Sequence, residues 1–517
     1  MPERALRRIV DELTGRAPAG WTRAQLTSTA GRGAVSVSGG YTVPGRPVTS
    51  LPASALFMPV NGLADALREA RGWERTELEI TCRSSSRYAL LATGSGVTGC
   101  LSRRDGFMAE LDAEARPPQP GSGQPAGGAA PAGDPERAVA LFRTYLERRA
   151  AILGRSEEQA PPATPAALDD AERRLGRRLP EDLRALYLVA DGDGVDYDHH
   201  YLFGDAWLGL TGMVAAYGIL DQVVSSPWEL AWDSVVFDAD PPDTVRRCGA
   251  HPAWLPFASG EDGNYLAVDL SPARDGRPGQ VIRIGRDHHE GPAYVADSVT
   301  SLLAGLLEQL DREAYEQDDD RLYVARPAPA GPRRVIGELP DRIPGDLQAA
   351  HLHAEGPVDL APLTAAPRLR LLQVGLGFAS DLTPVRSLPV EVLRAGVADG
   401  GLTPLRGHPH LAALSLGSTD PVDIGDLRTL PGLHGLDLTR AVVRDLSVLG
   451  DLPGLRYLAL TAPQWSALLD AGAAPPALAA ARLADSEASL GEALAWASRL
   501  GVDTGEVFRA SGNFTVS

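Results

Sequence analysis

The chain has 517 residues, 44% hydrophobic and 22% charged, with a net charge of −18, which is room for about three soluble domains. The acidic balance disfavours nonspecific nucleic-acid or anionic-membrane binding and attracts a basic partner. All 49 basic residues are arginine, so a Walker-A phosphate loop, a lysine Schiff base and a lysine general base are excluded.

Residues 1–115 read as a first small α+β domain. An amphipathic helix carries Leu6, Ile9, Val10 and Leu13, without the apolar core of a signal peptide. A strand starts at Gly20-Trp21 and runs to Leu26, and Val35, Val37 and Tyr41 continue a hairpin by alternation. The spacing predicts a helix over Ala53–Arg71, with Leu63, Leu67 and Ala70 on one face, then antiparallel strands at Trp73–Ile80 and Tyr88–Leu91. Through Gly20–Leu26 and Trp73–Leu78 this stretch resembles YezG-like immunity proteins.

Gly94-Ser95-Gly96-Val97-Thr98-Gly99 is a formal G-x-G-x-x-G. A dinucleotide site needs a helix at once and an acid about 20 residues on. Ser102-Arg103-Arg104-Asp105-Gly106 interrupts instead, so the motif reads as a hairpin turn and no cofactor is expected. Cys82, Cys100 and Cys248 show no C-x-x-C spacing, which points to a reducing, cytoplasmic setting and away from structural zinc. Residues 116–134 are nearly all Pro, Gly, Ala, Ser and Gln and are expected to be a flexible linker.

A second α+β domain is expected over 135–315. Asp134 or Pro135 opens a helix with Val139, Phe142, Leu146 and Ile152 on one stripe, and a second helix spans Leu168–Leu175. Asp191, Asp193, Asp196 and Asp198 crowd a loop before His199-His200, and Asp287-His288-His289-Glu290 forms a second cluster. Neighbouring imidazoles diverge and neither cluster holds an i, i+4 pair, so solvated loops are expected and no metal. Trp207, Trp228, Trp232 and Trp254 read as core or rim residues.

From Trp254 the chain alternates through Trp-Leu-Pro-Phe-Ala, Tyr265–Leu270 and Gln280–Ile284, and Ser298 or Asp297 caps a helix carrying Leu302, Leu303, Leu306 and Leu307. The Trp-x-Pro-Phe-Ala entry, Val268-Asp269-Leu270, Gly279-Gln280-Val281-Ile282 and Val295-Ala296-Asp297-Ser298 together resemble the SUKH superfamily. That group contains fungal cell-wall assembly regulators of the Smi/Knr type and bacterial immunity proteins. Upstream the resemblance runs through Leu179-Pro180-Glu181-Asp182-Leu183 and Asp191-Gly192-Asp193-Gly194, covering about 165–310. It implies an α+β protein-binding domain without catalytic residues.

A connector is expected at 316–340, then repeats at 341–486. The pattern Leu-x-x-Leu/Ala-x-Leu starts at Leu347, Leu369, Val390, Leu411, Leu433, Leu455 and Leu478, a period near 22. Asp359-Leu360, Asp381-Leu382, Asp423-Ile424 and Asp445-Leu446 keep a second frame. This is the leucine-rich repeat pattern and resembles the short, internalin-like bacterial subclass. The asparagine expected after the strand is Gly377, Thr419, Ala441 or Pro463 here, which predicts an irregular solenoid. Residues 487–517 read as its C-terminal cap.

The fold class expected is therefore α+β multidomain: two N-terminal α+β domains followed by a leucine-rich repeat α/β solenoid. Its concave face would present Arg370, Gln373, Arg394, Ser415, His434, Asp437, Arg456 and Tyr457 to a partner. Asp191, Asp193, Asp196, Asp198, Glu261 and Asp262 are further partner-binding candidates. A non-catalytic immunity factor that neutralises a basic toxin domain is the leading reading, with no nucleic acid, membrane or cofactor. A regulatory scaffold recruiting a cellular protein through the repeats is the alternative, and a metal-dependent hydrolase a third.

Overall fold

The computed structural model describes residues 2–514 except 32–33, 52, 101–105, 119, 194–199, 224–227, 261, 319–320 and 326–332. Asp196, Asp198 and Glu261 thus lie outside the described residues. Among the described residues no helix is long and apolar enough to cross a membrane.

The first layer contains α1 (Pro2–Gly15), β1 (Arg23–Gly31), β2 (Ala34–Thr42), β3 (Thr49–Ser50), α2 (Ala53–Arg71), β4 (Thr76–Arg83) and β5 (Arg87–Thr93). Leu6, Ile9 and Leu13 of α1 and Leu56, Val60, Leu63 and Leu67 of α2 bury against Leu26, Leu78, Ile80 and Leu90 on one sheet face. Strand periodicity puts Thr29, Glu77 and Glu79 on the opposite face. The expected 1–115 unit is not closed on itself. Its sixth strand is Val507–Asn513, which pairs antiparallel with β5. Its glycine-rich hairpin, β6 (Val97–Gly99) and β7 (Phe107–Glu110), joins the repeat sheet instead.

The described residues of 116–134, a stretch expected to be a flexible linker, form a strap along the next domain. Gly121 N–H donates to the Arg247 carbonyl at 2.8 Å, Arg247 N–H to Gln124 Oε1 at 2.8 Å, and Asp134 N–H to Thr300 Oγ1 at 3.0 Å. Small residues lack side chains to bury, but their backbone can lie flat against another backbone. A Cβ at Gly121 would sit 2.4 Å from Arg247 N.

The second domain runs α3 (Pro135–Leu153), α4 (Pro165–Leu175), α5 (Glu181–Tyr187), β8 (Ala206–Trp207), α6 (Leu210–Val223), α7 (Trp228–Ala231), β9 (Trp254–Ser259), β10 (Asn264–Asp269), β11 (Gln280–Gly285), β12 (Ala293–Ala296) and α8 (Val299–Asp311). Asp134, Thr164 and Ser298 cap α3, α4 and α8 by accepting an N–H three residues on. The antiparallel sheet has the order β12-β11-β10-β9-β8, and Phe142, Tyr187, Trp207, Phe257, Leu266 and Leu303 lie in its core. Part of the expected connector belongs here: β13 (Tyr315–Asp318) and β14 (Arg321–Val324) form a hairpin that buries Leu322 and Val324 in the same core.

The repeats build β15 (Arg333–Gly337), β16 (Leu347–Leu352), β17 (Leu371–Gln373), β18 (Val392–Gly396), β19 (Ala413–Gly417), β20 (Gly435–Arg440), β21 (Tyr457–Leu460) and β22 (Ala480–Leu483), all parallel to one another. The first of these strands comes from the segment expected to be connector. Without those asparagines the strands still pair in order, with register shifts between Arg333 and Arg334 and between Ser415 and Gly417. Asp359, Asp381, Asp423 and Asp445 each accept the N–H two residues on and open a short 3₁₀ turn. In the helix α9 (Ala462–Asp470), Gln464 donates its amide to the Leu438 and Ala441 carbonyls.

The far end is closed by α10 (Leu490–Arg499), with Trp496 edge-on to Trp465, and by β7 pairing antiparallel with β22. The chain then leaves the repeats as β23 (Val507–Asn513) and returns to the first sheet. The expected 487–517 cap is therefore half cap and half sheet strand.

Candidate functional site

A strand on the inner wall of a parallel solenoid points alternate side chains into the core and onto the concave face. Leu372, Leu393, Leu414, Leu436 and Leu458 take the inward set. Gln373, Arg394, Ser415, Asp437 and Tyr457, all marked by the sequence, line one groove of about 990 Å³. Its opposite wall is Trp232 and Asp233, from the second domain.

The concave face is therefore partly covered by the chain itself, which the sequence reading did not foresee. Trp232 stacks on Tyr457 with centroids 4.7 Å apart and planes 9° apart, and Trp228 meets His434 edge-on at 6.1 Å. Both tryptophans are buried. Burial holds His434 below the ordinary imidazole value, against hydrogen bonds to the Gly432 and Trp232 backbone, so a neutral ring meets Trp228. Arg394 pairs with Asp233. A Cβ at Gly435 would lie 2.8 Å from the Trp232 ring, so the close approach needs glycine there.

Arg370 is absorbed into a charge network below the groove. It donates to Asp238 at 2.9 Å and to Glu391 at 3.0 Å. Arg247 of the second domain donates to Glu391 through both terminal nitrogens, at 2.7 and 2.6 Å. Burial opposes the Asp238 charge, but Arg370, with Arg247 and Arg368, outweighs it and holds the carboxyl below its usual range. Gln348 clamps Asp238 from β16, accepting its N–H at 2.9 Å and donating to its carbonyl at 3.1 Å. Arg456 is exposed and reaches the Ala477 carbonyl.

Of the acidic candidates of the second domain, the described ones, Asp191, Asp193 and Asp262, lie outside the groove lining, and Asp191 and Asp262 have structural partners. Asp191 accepts the Leu210 N–H at the start of α6, and Asp262 accepts the Asn264 N–H. Asp193 is buried, which pushes its carboxyl up to about 7 against the Trp207, Tyr201 and His200 backbone and the Arg149 charge. Of the His/Asp clusters, His200 contacts the Gly204 carbonyl, Asp287 bonds Asn264, and Glu290 pairs with Arg334. Among the described residues no three His, Cys, Asp or Glu groups gather as metal ligands.

Trp228, Trp232, Asp233, Asp238 and Glu391 are the contact residues that sequence reasoning missed. One signal was present. Two tryptophans at i, i+4, followed by Phe237 and three carboxylates, sit in a stretch with no strand alternation and so have no surface of their own to cover.

Comparison with known proteins places the second domain. Residues 162–305 match the SMI1 / KNR4 family (SUKH-1). The chain is 31% identical over 166 residues to the cell wall biosynthesis/cell cycle regulator smi1 of Schizosaccharomyces pombe, covering 31% of this chain and 33% of that protein. It is 40% identical over 83 residues to a glucan synthesis regulatory protein of Neurospora crassa, 16% of this chain and 15% of that one. The chain thus spans a third or less of these relatives. An internalin structure from Listeria monocytogenes aligns with 29% of this chain and 60% of its own, at 18% identity and a TM-score of 0.16. Residues 162–305 form an SMI1/KNR4-type domain, and the relatives that share it are named as regulators.

Proposed function

We propose that this chain is a non-catalytic regulator that works by binding another protein, with the concave face of the repeats as the contact surface. The observation that carries this is the groove between the repeats and Trp232–Asp233. It combines arginine, carboxylate, hydroxyl and amide groups with an aromatic edge, the composition of a protein interface more than of a mostly apolar small-molecule pocket. The relatives' description as regulators points the same way. The bacterial immunity reading is kept as a second one, favoured by the net charge of −18, which would steer a basic toxin domain toward the chain.

The test is affinity capture with the full chain, comparing the native sequence with Gln373→Arg, a larger side chain in the groove lining beside Arg394. A stoichiometric partner lost in that variant supports the proposal. A partner retained at the native level refutes the groove as the contact surface. A basic toxin as the captured protein selects the immunity reading, and a housekeeping protein selects the scaffold.

A further inference from the structure

The segment Trp228–Asp238 crosses the concave strands instead of running along them. Trp232 lies on Tyr457 of β21, Asp233 on Arg394 of β18, and Asp238 on Arg370 and Gln348 near β17 and β16. Phe237 lies under the Arg334 guanidinium of β15 at 5.1 Å. Aromatic rings thus meet Tyr, His and Arg, and carboxylates meet Arg, the residue types that dominate binding energy at interfaces.

From these contacts we infer that the concave face is built to recognise an acidic, aromatic peptide segment, and that Trp228–Asp238 occupies that site in place of the partner until it is displaced. The inference rests on the concave face being the binding surface, as proposed above, and adds the partner's chemistry and the means of regulation.

Three features separate a displaceable segment from ordinary core. Trp228, Trp232, Val235 and Phe237 share a cluster with Ala349, Val392, Ala413, Tyr457 and Ala459 of the repeats, apart from the core that holds the second domain's sheet and helices. Their removal from the repeats therefore leaves that core intact. The segment has little regular structure of its own: one turn of helix with a bond from Ser234 N–H to the Ala231 carbonyl, a bond from Phe237 N–H to the Glu290 carbonyl, the Gln348 clamp, and single bonds from Trp228 Nε1 to the Ala115 carbonyl and from the His434 ring to the Trp232 backbone. The groove also leads directly to the Asp233–Arg394 pair, where the Arg394 side chain is 33% exposed. An incoming carboxylate can replace Asp233 at that edge and the exchange can proceed inward pair by pair.

Tethering sets the size of the effect. A segment held close to its own site acts at an effective concentration in the millimolar range. A free peptide of the same sequence must compete with that tethered copy, so its apparent affinity for the closed chain is weakened accordingly.

The experiment uses the full chain and a fluorescent peptide of residues 228–238, followed by anisotropy. Opening the segment with Trp232→Ala and Asp233→Ala together should tighten peptide binding at least tenfold over the native chain. Adding Gly435→Ala, whose Cβ would strike the peptide's tryptophan, should abolish the gain. A charge exchange, Asp233→Arg with Arg394→Asp, read with a peptide that carries the same Asp233→Arg change, should return binding to the weak native level, while Asp233→Arg alone should still tighten binding of the native peptide; this pair excludes misfolding as the cause. Equal affinity for native and opened chains would overturn the inference, as would a gain that Gly435→Ala leaves untouched or an opened chain that binds no peptide. If the peptide fails while Gln373→Arg still abolishes partner capture, only this inference falls. If capture ignores Gln373→Arg, the binding-surface reading falls instead.

Discussion

Glu391 sits where the second domain meets the repeats, and its replacement by Gln is the most direct probe of that junction. The carboxylate accepts two bonds from Arg247 and one from Arg370, whose side chains are 9% and 17% exposed. Glutamine keeps the volume but leaves three guanidinium groups, with Arg368, facing one remaining carboxylate, Asp238. Breaking a buried ion pair costs about 3–5 kcal/mol, and partial water access puts this case near about 3 kcal/mol. At about 1.4 kcal/mol per decade, the junction should open about a hundredfold more often. Native-state hydrogen exchange at the Asp238 amide, which Gln348 of the repeats accepts, reads that opening without requiring the whole chain to unfold in one step. The paired change Arg247→Met with Glu391→Leu removes both charges and should recover at least half of the loss, since a buried pair and an apolar replacement are often equivalent. Acceleration below threefold for Glu391→Gln, or a paired variant as open as the single one, would refute the network as the element that holds the junction.

Burial pushes Glu77 up to about 8 from 4.5, against hydrogen bonds from Thr29 and Gly99. The folded chain therefore keeps a proton that the unfolded chain releases, and stability falls as pH rises from about 4.5 to about 8. Glu77→Gln should flatten that slope and stabilise the first sheet at pH 8 by a few kcal/mol, measured as urea midpoints at pH 5.5 and 8; an unchanged slope would sink the assignment. Gly106 has φ +131° and a Cβ there would lie 1.8 Å from the Leu483 carbonyl. Gly106→Ala should cost several kcal/mol and release the β7 amides to exchange, whereas a shift under about 0.5 kcal/mol would contradict the β7–β22 pairing. Deleting residues from 507 onward should expose β5 as an unpaired edge and promote self-association, read by light scattering; a monomeric product with unchanged thermal stability would show that β23 is dispensable.

Local periodicity made much of the fold legible. The Ala53–Arg71 helix, the Ser298 cap and the repeat strands all follow from patterns within one element. The concave residues were legible for the same reason, because alternation states which side chains leave the core. It does not state what covers them afterwards. Arg370 and Tyr457 read as open contact residues, yet the first is paired to Asp238 and the second lies under Trp232, because both partners come from distant sequence without periodic signal. The strap at 116–134 was missed for a related cause. Composition reports how much side chain a segment can bury, while this strap is held through backbone groups such as Gly121 N–H. Hairpin β6–β7 and strand β23 were placed by sequence neighbourhood, but edges of other sheets claimed them.

The return of the last strand to the first sheet sets a timetable for synthesis. Glu79 accepts the Leu490 N–H across 411 positions, and β5 waits for β23 from still further along. At about 5–20 residues per second, roughly twenty to eighty seconds pass between emergence of the first sheet and arrival of its final strand. A sheet whose other strands leave the ribosome roughly 400 residues ahead of its sixth is thus completed late, and such long-range pairing is intrinsically slow. During that interval β5 stands open, so the rate of translation and the chaperones that shield nascent edges become determinants of how much native protein a cell obtains.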